Sequence, residues 1–370
     1  MRVPVNEPVI TDEAKRYVAD TIETGWISSA GAYIQKFEEA FASFIGTDHA
    51  ISTTNGTSAL HLALASLSIG EGDEVILPNL TMGACLDAVL YTGATPVLVD
   101  VESDTFNIDP KQVESHISEK TKAIMVVHLF GHSADMDPIL SIASEHGIAV
   151  VEDAAEAHGG TYHGRKCGSM GTIGCFSFYG NKLITTGEGG MITTNDAVLA
   201  ERARSLKDLA HDPEKRFWHA EMGFNYRMTN MQAAVGLGQL ESVDTFLQHK
   251  QWMGQQYTEK LQDVPWLRLP VTREGVYNIY WMYMVLVEDD APYSRDELRA
   301  KLKEHGIDTR DMFYQLSDQP FAATSRKDDT YPVSEDIAKR GFYLPSGLAL
   351  TQEQLNYVCD VMHEITNDVQ

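Results

Sequence analysis

The chain has 370 residues, of which 29 are lysine or arginine and 53 are aspartate or glutamate, so its formal net charge is −24. This charge excludes partners that are themselves polyanions, because nucleic acids and anionic membranes are bound through basic surfaces. Hydrophobic residues make up 43% of the chain, which is typical of a folded globular protein and argues against disorder.

The sequence also lacks the marks of membrane and secreted proteins. No stretch approaches the ~20 apolar residues that a membrane helix needs, and no apolar signal segment follows Met1. The four cysteines have the spacing of neither a metal site nor a disulfide framework. We therefore expect a cytoplasmic enzyme without a metal. The length predicts two domains, which we place at residues 1–250 and 251–370.

Apolar periodicity predicts alternating elements in the first part of the chain. In chain order they are helices at 11–24 and Ile34–Phe44, strand Ala50–Thr53, helix Thr57–Leu67, strand Glu74–Leu77, helix Met82–Thr92, strands Pro96–Val99 and Ala123–Val127, helix Pro138–His146 and strand Ala149–Glu152. Short apolar strands that alternate with helices predict an α/β fold with a mostly parallel central sheet flanked by helices.

The pattern changes in the second half of the chain. Helices are predicted at Leu199–Leu206 and Asn230–Gln251, and the second is long enough to connect two parts of the molecule. Beyond Val276 we predict strand Tyr280–Val287 and helices Ser294–His305 and Gln352–Val361. This arrangement indicates a smaller C-terminal α+β domain.

Three local patterns carry candidate chemistry. Asn55-Gly56-Thr57-Ser58 lies between a strand and a helix, where free N–H groups and the helix dipole can hold a phosphate. By itself such a turn is more often just a capped helix. Asp153 ends an apolar strand, where open α/β sheets bind ligands. It could equally cap the next helix.

The third pattern is a lysine between aromatic and glycine-rich segments. Lys182 follows the aromatic strand that contains Ser177 and precedes Gly187-Glu188-Gly189-Gly190. A lysine amine in its neutral form can bond to an aldehyde as a Schiff base. Pyridoxal 5′-phosphate needs donors for its phosphate, an anion for its ring nitrogen and a lysine for its aldehyde. The three patterns together therefore predict this cofactor.

These segments carry a resemblance to a known family. The chain resembles the DegT-type sugar aminotransferases, a branch of the aspartate-aminotransferase fold (fold type I of the pyridoxal phosphate enzymes). The similarity covers nearly the whole chain and is most specific in Thr24–Gly31, Asn55–Leu60, Glu152–Ala157, Ser177–Met191 and Gly223–Asn230. Within the family, Gly25–Ser29, Val127–His132 and Glu156 look most like the perosamine synthases.

The resemblance implies roles for individual residues. Lys182 would bond to the cofactor and move the proton, Asp153 would pair with the ring nitrogen, and Glu156 would contact the ring 3-hydroxyl. Phosphate contacts are implied for Gly56, Thr57 and Ser177 of one subunit and for Asn225 of its neighbour, which implies a homodimer with shared active sites. Met82 stands where the family usually has an aromatic ring over the cofactor, and its thioether can pack there.

The implied reaction moves an amino group from L-glutamate to C4 of a nucleotide-linked 4-keto-6-deoxy sugar, with GDP-4-keto-6-deoxymannose and GDP-perosamine as the favoured pair. Lys182 favours transamination, because relatives that remove a hydroxyl have histidine at this position. A UDP- or dTDP-linked sugar, aminated at C4 or C3, is the alternative. A non-catalytic regulator of the same fold is the alternative from another class, and it predicts loss of cofactor residues that this chain retains.

Weaker candidates concern the substrate and metals. Five residues are candidates for contacts to the nucleotide sugar: Trp26, Ser28, His158, Arg310 and Tyr314. Each has a plain structural alternative, such as a buried tryptophan or a surface arginine. His128, His132, Asp135 and Asp137 have a metal-like composition, but they fall between a strand and a helix and lack helical ligand spacing. We therefore predict no metal site.

Overall fold

The computed structural model describes residues 1–215, 217–322 and 329–367. Its helices are α1 (Asp12–Thr24), α2 (Ala32–Ile45), α3 (Gly56–Ser66), α4 (Ala84–Thr92), α5 (Pro110–His116), α6 (Met136–His146), α7 (Ala197–Lys207), α8 (Asn230–Leu240), α9 (Val243–Leu261), α10 (Arg295–Glu304), α11 (Pro332–Arg340) and α12 (Gln352–Asn367).

The strands follow the same chain order. They are β1 (His49–Thr53), β2 (Glu74–Pro78), β3 (Thr95–Val99), β4 (Thr121–Val127), β5 (Ala149–Asp153), β6 (Thr161–Tyr162), β7 (Arg165–Lys166), β8 (Ile173–Ser177), β9 (Gly190–Thr194), β10 (Leu267–Arg268), β11 (Val276–Tyr277), β12 (Tyr283–Val287), β13 (Arg310–Asp311) and β14 (Gly341–Leu344).

The central sheet has the strand order β1-β9-β8-β5-β4-β2-β3. The pairs from β3 through β8 are parallel, whereas β9 runs antiparallel to both of its neighbours. Helices pack against this sheet, and the single helix α3 contacts four of its strands, β1, β5, β8 and β9. The predicted α/β fold with a mostly parallel central sheet is therefore confirmed.

The parallel register brings the chemistry to one edge of the sheet. Strands β5 and β8 are parallel neighbours, with Asp153 opposite Cys175. Asp153 and Ser177 therefore both lie at carboxyl ends of adjacent strands, two residues apart in register. Helix α3 begins beside the same edge, since Gly56 lies against Ser177. Ligands bind at such edges in open α/β sheets.

The prediction of one continuous helix at Asn230–Gln251 is wrong. The chain forms α8 and α9 separately, and Ser242 between them has φ −106° and ψ 8°. The two helices bury their apolar faces in different places, since α8 packs on α1 and α2 whereas α9 contacts α12. A periodic pattern does not reveal a break of two residues when apolar positions continue on both sides.

The C-terminal segment forms a second sheet, with the strand order β10-β12-β14-β13 and antiparallel pairing. Its core contains residues of α9, α10 and α12, and also Val3 near the N-terminus. The predicted boundary at residue 250 falls inside α9. The division into 1–250 and 251–370 stays a prediction.

Two buried polar residues fasten the C-terminal segment to the edge of the central sheet. Asn79, which follows β2, donates to Gln315 Oε1 at 3.0 Å and accepts from the Ser317 N–H at 2.9 Å. Asp100, which follows β3, accepts from the Ser334 N–H at 2.8 Å. Gln315, Ser317 and Ser334 therefore lie beside the edge of the sheet that carries Asp153.

Among the described residues, no helix combines the length and the apolar character that crossing a membrane requires.

Candidate active site

The start of helix α3 forms a cradle with the end of β8. A Cβ added to Gly56 would lie 2.7 Å from Ser177 Cβ, so only glycine permits this approach. Asn55 caps the helix by accepting from the Ser58 N–H at 2.8 Å. The N–H groups of Gly56 and Thr57 belong to the first turn, which has no intrahelical acceptors. The cradle thus presents two N–H groups and the Ser177 hydroxyl, a donor set that suits a phosphate.

Asp153 provides a buried carboxylate at the same edge of the sheet. Its side chain is only 6% exposed. The Ala155 N–H donates to Oδ1 at 3.0 Å, and the Cys85 thiol donates to Oδ2 at 3.2 Å. These two donors fix the orientation of the carboxylate, which can accept from a protonated ring nitrogen.

Lys182 and Glu156 form a largely buried pair. Lys182 Nζ lies 3.4 Å from Glu156 Oε1, and the two side chains are 12% and 7% exposed. Glu156 Oε2 accepts from the Phe130 N–H at 2.9 Å. Burial raises the pKa of Glu156, and the neighbouring Lys182 charge opposes this shift. The pair places an amine and a carboxyl within reach of one ligand.

The indole of Trp281 closes the space beside this amine. Lys182 Nζ lies 3.9 Å from the centre of the Trp281 ring, which is 3% exposed. Phe130 stacks on Trp281 with 6.2 Å between ring centroids, and Phe313 stacks on Phe130 at 5.8 Å. These rings form an aromatic wall next to Lys182 and Glu156.

The donor set fits pyridoxal 5′-phosphate. The cradle of Gly56, Thr57 and Ser177 would hold the phosphate, and Asp153 would accept from the ring nitrogen. Lys182 offers the amine for the aldehyde, while Glu156 can contact the 3-hydroxyl. The close approach of Gly56 to Ser177 supports this fit, because any larger residue would fill the cradle.

Met82 lies in the turn between β2 and α4, two residues before the helix that was predicted to begin at Met82. Its side chain is 56% exposed. The Met82 carbonyl accepts from the Cys85 N–H at 3.1 Å, so Met82 opens the same turn that delivers Cys85 to Asp153. An exposed thioether next to this turn is available to pack on a bound ring.

His158 is buried rather than exposed to an open pocket, and its contact with the substrate stays a prediction. It is 1% exposed and packs against the rings of Phe41, Phe176 and Phe178. Burial and the Lys182 charge lower the pKa of His158 to about 3, so the ring is neutral. The apolar neighbours come from α2, from β8 and from the residue that follows β8, and this neighbourhood was not visible in the local sequence.

The other predicted substrate residues are exposed. Trp26 is 60% and Tyr314 is 65% exposed, and Ser28 and Arg310 also face solvent. The Trp26 and Ser28 carbonyls accept from Asn230 at 2.5 Å and 2.7 Å, which ties this loop to the start of α8. No contact within the described part of the chain joins these four residues to Lys182, so their roles stay predictions.

Asn225 lies on the surface rather than in the cradle of its own chain. Its side-chain oxygen accepts from Arg227 at 2.8 Å, and its backbone pairs with Asp208. This position agrees with a contact to a second subunit, and that contact stays a prediction.

A buried histidine–glutamate pair supports the strand end behind the site. His128 Nε2 donates to Glu152 Oε2 at 2.9 Å, and both side chains are fully buried. The His128 N–H donates to the Asp153 carbonyl at 3.0 Å, and His128 Nδ1 accepts from the Ala134 N–H at 3.1 Å. His128 therefore acts within the fold and is not part of an open metal site.

Sequence reasoning missed four residues that border the site, namely Cys85, Phe130, Trp281 and Tyr343. Burial and the nearby Glu156 raise the pKa of Tyr343 to about 12, and its ring lies 6.1 Å from that of Phe130. A run of aromatic residues at Tyr280–Tyr283 was the one available signal, and apolar periodicity assigned it to a strand.

This fold is that of pyridoxal phosphate-dependent aminotransferases. The family model described as "DegT/DnrJ/EryC1/StrS aminotransferase family" matches residues 8–363, and the chain belongs to this family. The class of enzyme and the cofactor predicted from the sequence are thereby confirmed.

Individual relatives are similar over nearly the whole chain. The GDP-perosamine synthase of Escherichia coli O157:H7 is 42% identical over 366 residues, covering 99% of each chain. The GDP-perosamine synthase of Caulobacter vibrioides is 45% identical over 368 residues, covering 98% of each. The crystal structure of DesV from S. venezuelae superposes with a TM-score of 0.90 at 36% identity, over 96% of this chain and 94% of that one.

Proposed function

We propose that this enzyme transfers an amino group from L-glutamate to C4 of GDP-4-keto-6-deoxymannose and forms GDP-perosamine. The observation that carries the chemistry is the amine of Lys182, held 3.4 Å from Glu156 at the sheet edge that also presents Asp153. The choice of sugar rests on the two GDP-perosamine synthases that are 42% and 45% identical to the chain.

Some residues of the chain bind the cofactor, and Lys182 transfers the proton. Pyridoxal phosphate supplies an electrophilic carbon and a conjugated ring that delocalises the electron pair of a broken C–H bond. Gly56, Thr57 and Ser177 bind the phosphate and fix its position. Asp153 accepts a hydrogen bond from the ring nitrogen and favours its protonated form. Lys182 Nζ moves the proton between the substrate carbon that carries the amino group and the former aldehyde carbon of the cofactor.

Another relative supports an alternative substrate, in which the sugar is linked to a different nucleotide. The dTDP-3-amino-3,4,6-trideoxy-alpha-D-glucose transaminase of Streptomyces venezuelae is 38% identical over 338 residues, covering 90% of this chain. A dTDP-linked keto sugar, aminated at C3, is therefore the alternative substrate.

A substrate panel tests both possibilities. The purified protein is incubated with pyridoxal phosphate, L-glutamate and GDP-, dTDP- or UDP-linked keto sugars, and the amino sugar is measured by mass spectrometry. We expect product from the GDP-linked 4-keto sugar and none from Lys182→Ala, whereas Lys260→Ala on α9 keeps its activity. Product from dTDP-linked sugars alone would establish the alternative, and activity in Lys182→Ala would disprove the role of this lysine.

We further propose a homodimer with shared active sites. Exposed apolar side chains support an interface, since Trp26 is 60%, Ile27 is 48% and Met222 is 85% exposed. Asn225 lies on the surface, from which it could reach a neighbouring subunit. A cytoplasmic location is supported by four buried cysteines that form no disulfide, as suits a reducing compartment.

A further inference from the structure

The indole ring of Trp281 is fixed from several sides. Its Nε1 donates to the Asn181 carbonyl at 2.9 Å, so the ring is bonded to the residue just before Lys182. Its backbone N–H donates to the Phe130 carbonyl at 2.9 Å. A ring held in this way keeps one face toward Lys182 Nζ, at 3.9 Å from the ring centre.

A buried lysine adds a third anchor from α9. Lys250 is 2% exposed, and its Nζ donates to the Trp281 carbonyl at 2.7 Å and also to the Ser346 carbonyl. The backbone of Trp281 is therefore bonded on both its N–H and its C=O side. Burial of the Lys250 amine is unfavourable for the stability of the fold. Its retention at this place indicates that the position of Trp281 matters.

The charged groups near Lys182 engage its Nζ only weakly, so attraction by the Trp281 ring can add to the stabilisation of the ammonium. The contact of Nζ with Glu156 is long at 3.4 Å, and Glu156 Oε2 is already engaged by the Phe130 N–H. Asp153 and Tyr343 both interact electrostatically with Glu156. Burial and the Lys182 charge lower the pKa of His158, so this ring is neutral.

We propose that Trp281 is a positioning residue, which receives Lys182 Nζ in its ammonium form, when this nitrogen is not bonded to the cofactor and carries a proton. A cation centred over a desolvated tryptophan face is attracted by the ring quadrupole. The free lysine is thereby kept in place, with its proton held at Nζ, until it acts again. This inference rests on the proposed function, because it takes Lys182 as the lysine that bonds to the cofactor.

The test uses the protein loaded with pyridoxamine 5′-phosphate, in which Lys182 is free. Its amine is labelled with acetic anhydride between pH 6 and 11, and the extent at Lys182 is read by peptide mass spectrometry. Trp281→Leu removes the ring, Trp281→Phe keeps a weaker one, and Trp252→Leu on α9 is the control.

We expect the midpoint of the Lys182 labelling profile to fall by about one pH unit in Trp281→Leu, a tenfold change in the protonation equilibrium. Trp281→Phe should shift it less, and Trp252→Leu should leave it at the wild-type value. If Trp281→Leu does not fold, Trp281→Phe decides the question. An unchanged midpoint with only a faster labelling rate would overturn the proposal, since it would show improved access alone.

Borohydride reduction of the pyridoxal phosphate form separates the two hypotheses. Reduction attaches the cofactor permanently to the lysine that it engages. Attachment at a lysine other than Lys182 would refute the proposed function and the inference together. Attachment at Lys182 with an unshifted labelling midpoint would refute the role of Trp281 alone.

Discussion

The Cys85 thiol lies 3.2 Å from Oδ2 of Asp153 and donates a hydrogen bond to this carboxylate. Burial and the charge of Asp153 raise the pKa of Cys85 well above its ordinary value, so the thiol keeps its proton. Cys85 comes from α4 and Asp153 from β5, which makes the contact a product of tertiary packing. The thiol therefore helps to orient the carboxylate that we propose accepts from the ring nitrogen.

Replacement of Cys85 by alanine should weaken cofactor binding without abolishing it. Asp153 keeps its bond from the Ala155 N–H, and a thiol is a weak donor, so we expect a loss of about 3- to 10-fold in affinity. Titration of the apoprotein with pyridoxal phosphate, followed by absorbance, measures the change. Cys359→Ala in α12 is the matched control, and equal affinities of the two variants would show that the thiol has no such role.

The Gly56→Ala variant tests the phosphate cradle. The added Cβ would meet Ser177 Cβ at 2.7 Å, so the start of α3 must move away from β8. Overpacking of this kind costs roughly 1–3 kcal/mol, and we expect the affinity for pyridoxal phosphate to fall at least about tenfold. Gly83→Ala is the control, because a Cβ there has nothing within 4 Å. Wild-type affinity in Gly56→Ala would contradict the cradle.

Lys250 should make stability depend on pH. Burial lowers the pKa of Lys250 from 10.5 to about 7. Between these values the unfolded chain binds a proton that the folded chain does not, so the free energy of unfolding rises with pH. The unfavourable contribution is complete below about pH 7 and disappears as the pH approaches that of an ordinary lysine.

Denaturant unfolding at pH 7 and pH 9.5 measures this contribution. The wild-type protein and Lys260→Met should gain more stability over this interval than Lys250→Met, because only the last lacks the buried amine. Other titrating groups are common to the three proteins and cancel in the comparison. Equal pH dependence in all three would mean that Lys250 does not titrate as its burial indicates.

A mixing experiment tests the shared active sites. Lys182→Ala and Asn225→Ala should each be inactive or nearly so as pure proteins. If Asn225 serves the neighbouring subunit, a mixed dimer contains one site with both native residues, and refolding an equal mixture should restore roughly a quarter of the wild-type activity. Activity no higher than the mean of the two variants would place Asn225 and Lys182 in the same subunit's site.

The sequence by itself determined the candidate residues for the chemistry. Gly56, Asp153 and Lys182 are each marked by a local pattern, in which a turn, a strand end or a glycine-rich segment is spelled out by neighbouring residues. Alternation of short apolar strands with helices likewise determined the central sheet. Local patterns suffice here because strand ends and helix starts set the position of their own side chains.

Only the tertiary structure decided which side chains meet these groups. Cys85 lies 68 positions before Asp153, and Trp281 lies 100 positions after Asn181. The burial of His158 among phenylalanines and the division of α8 from α9 likewise depend on which faces pack together. Such contacts arise from the crossing of distant segments, and neither composition nor periodicity within one segment carries information about them.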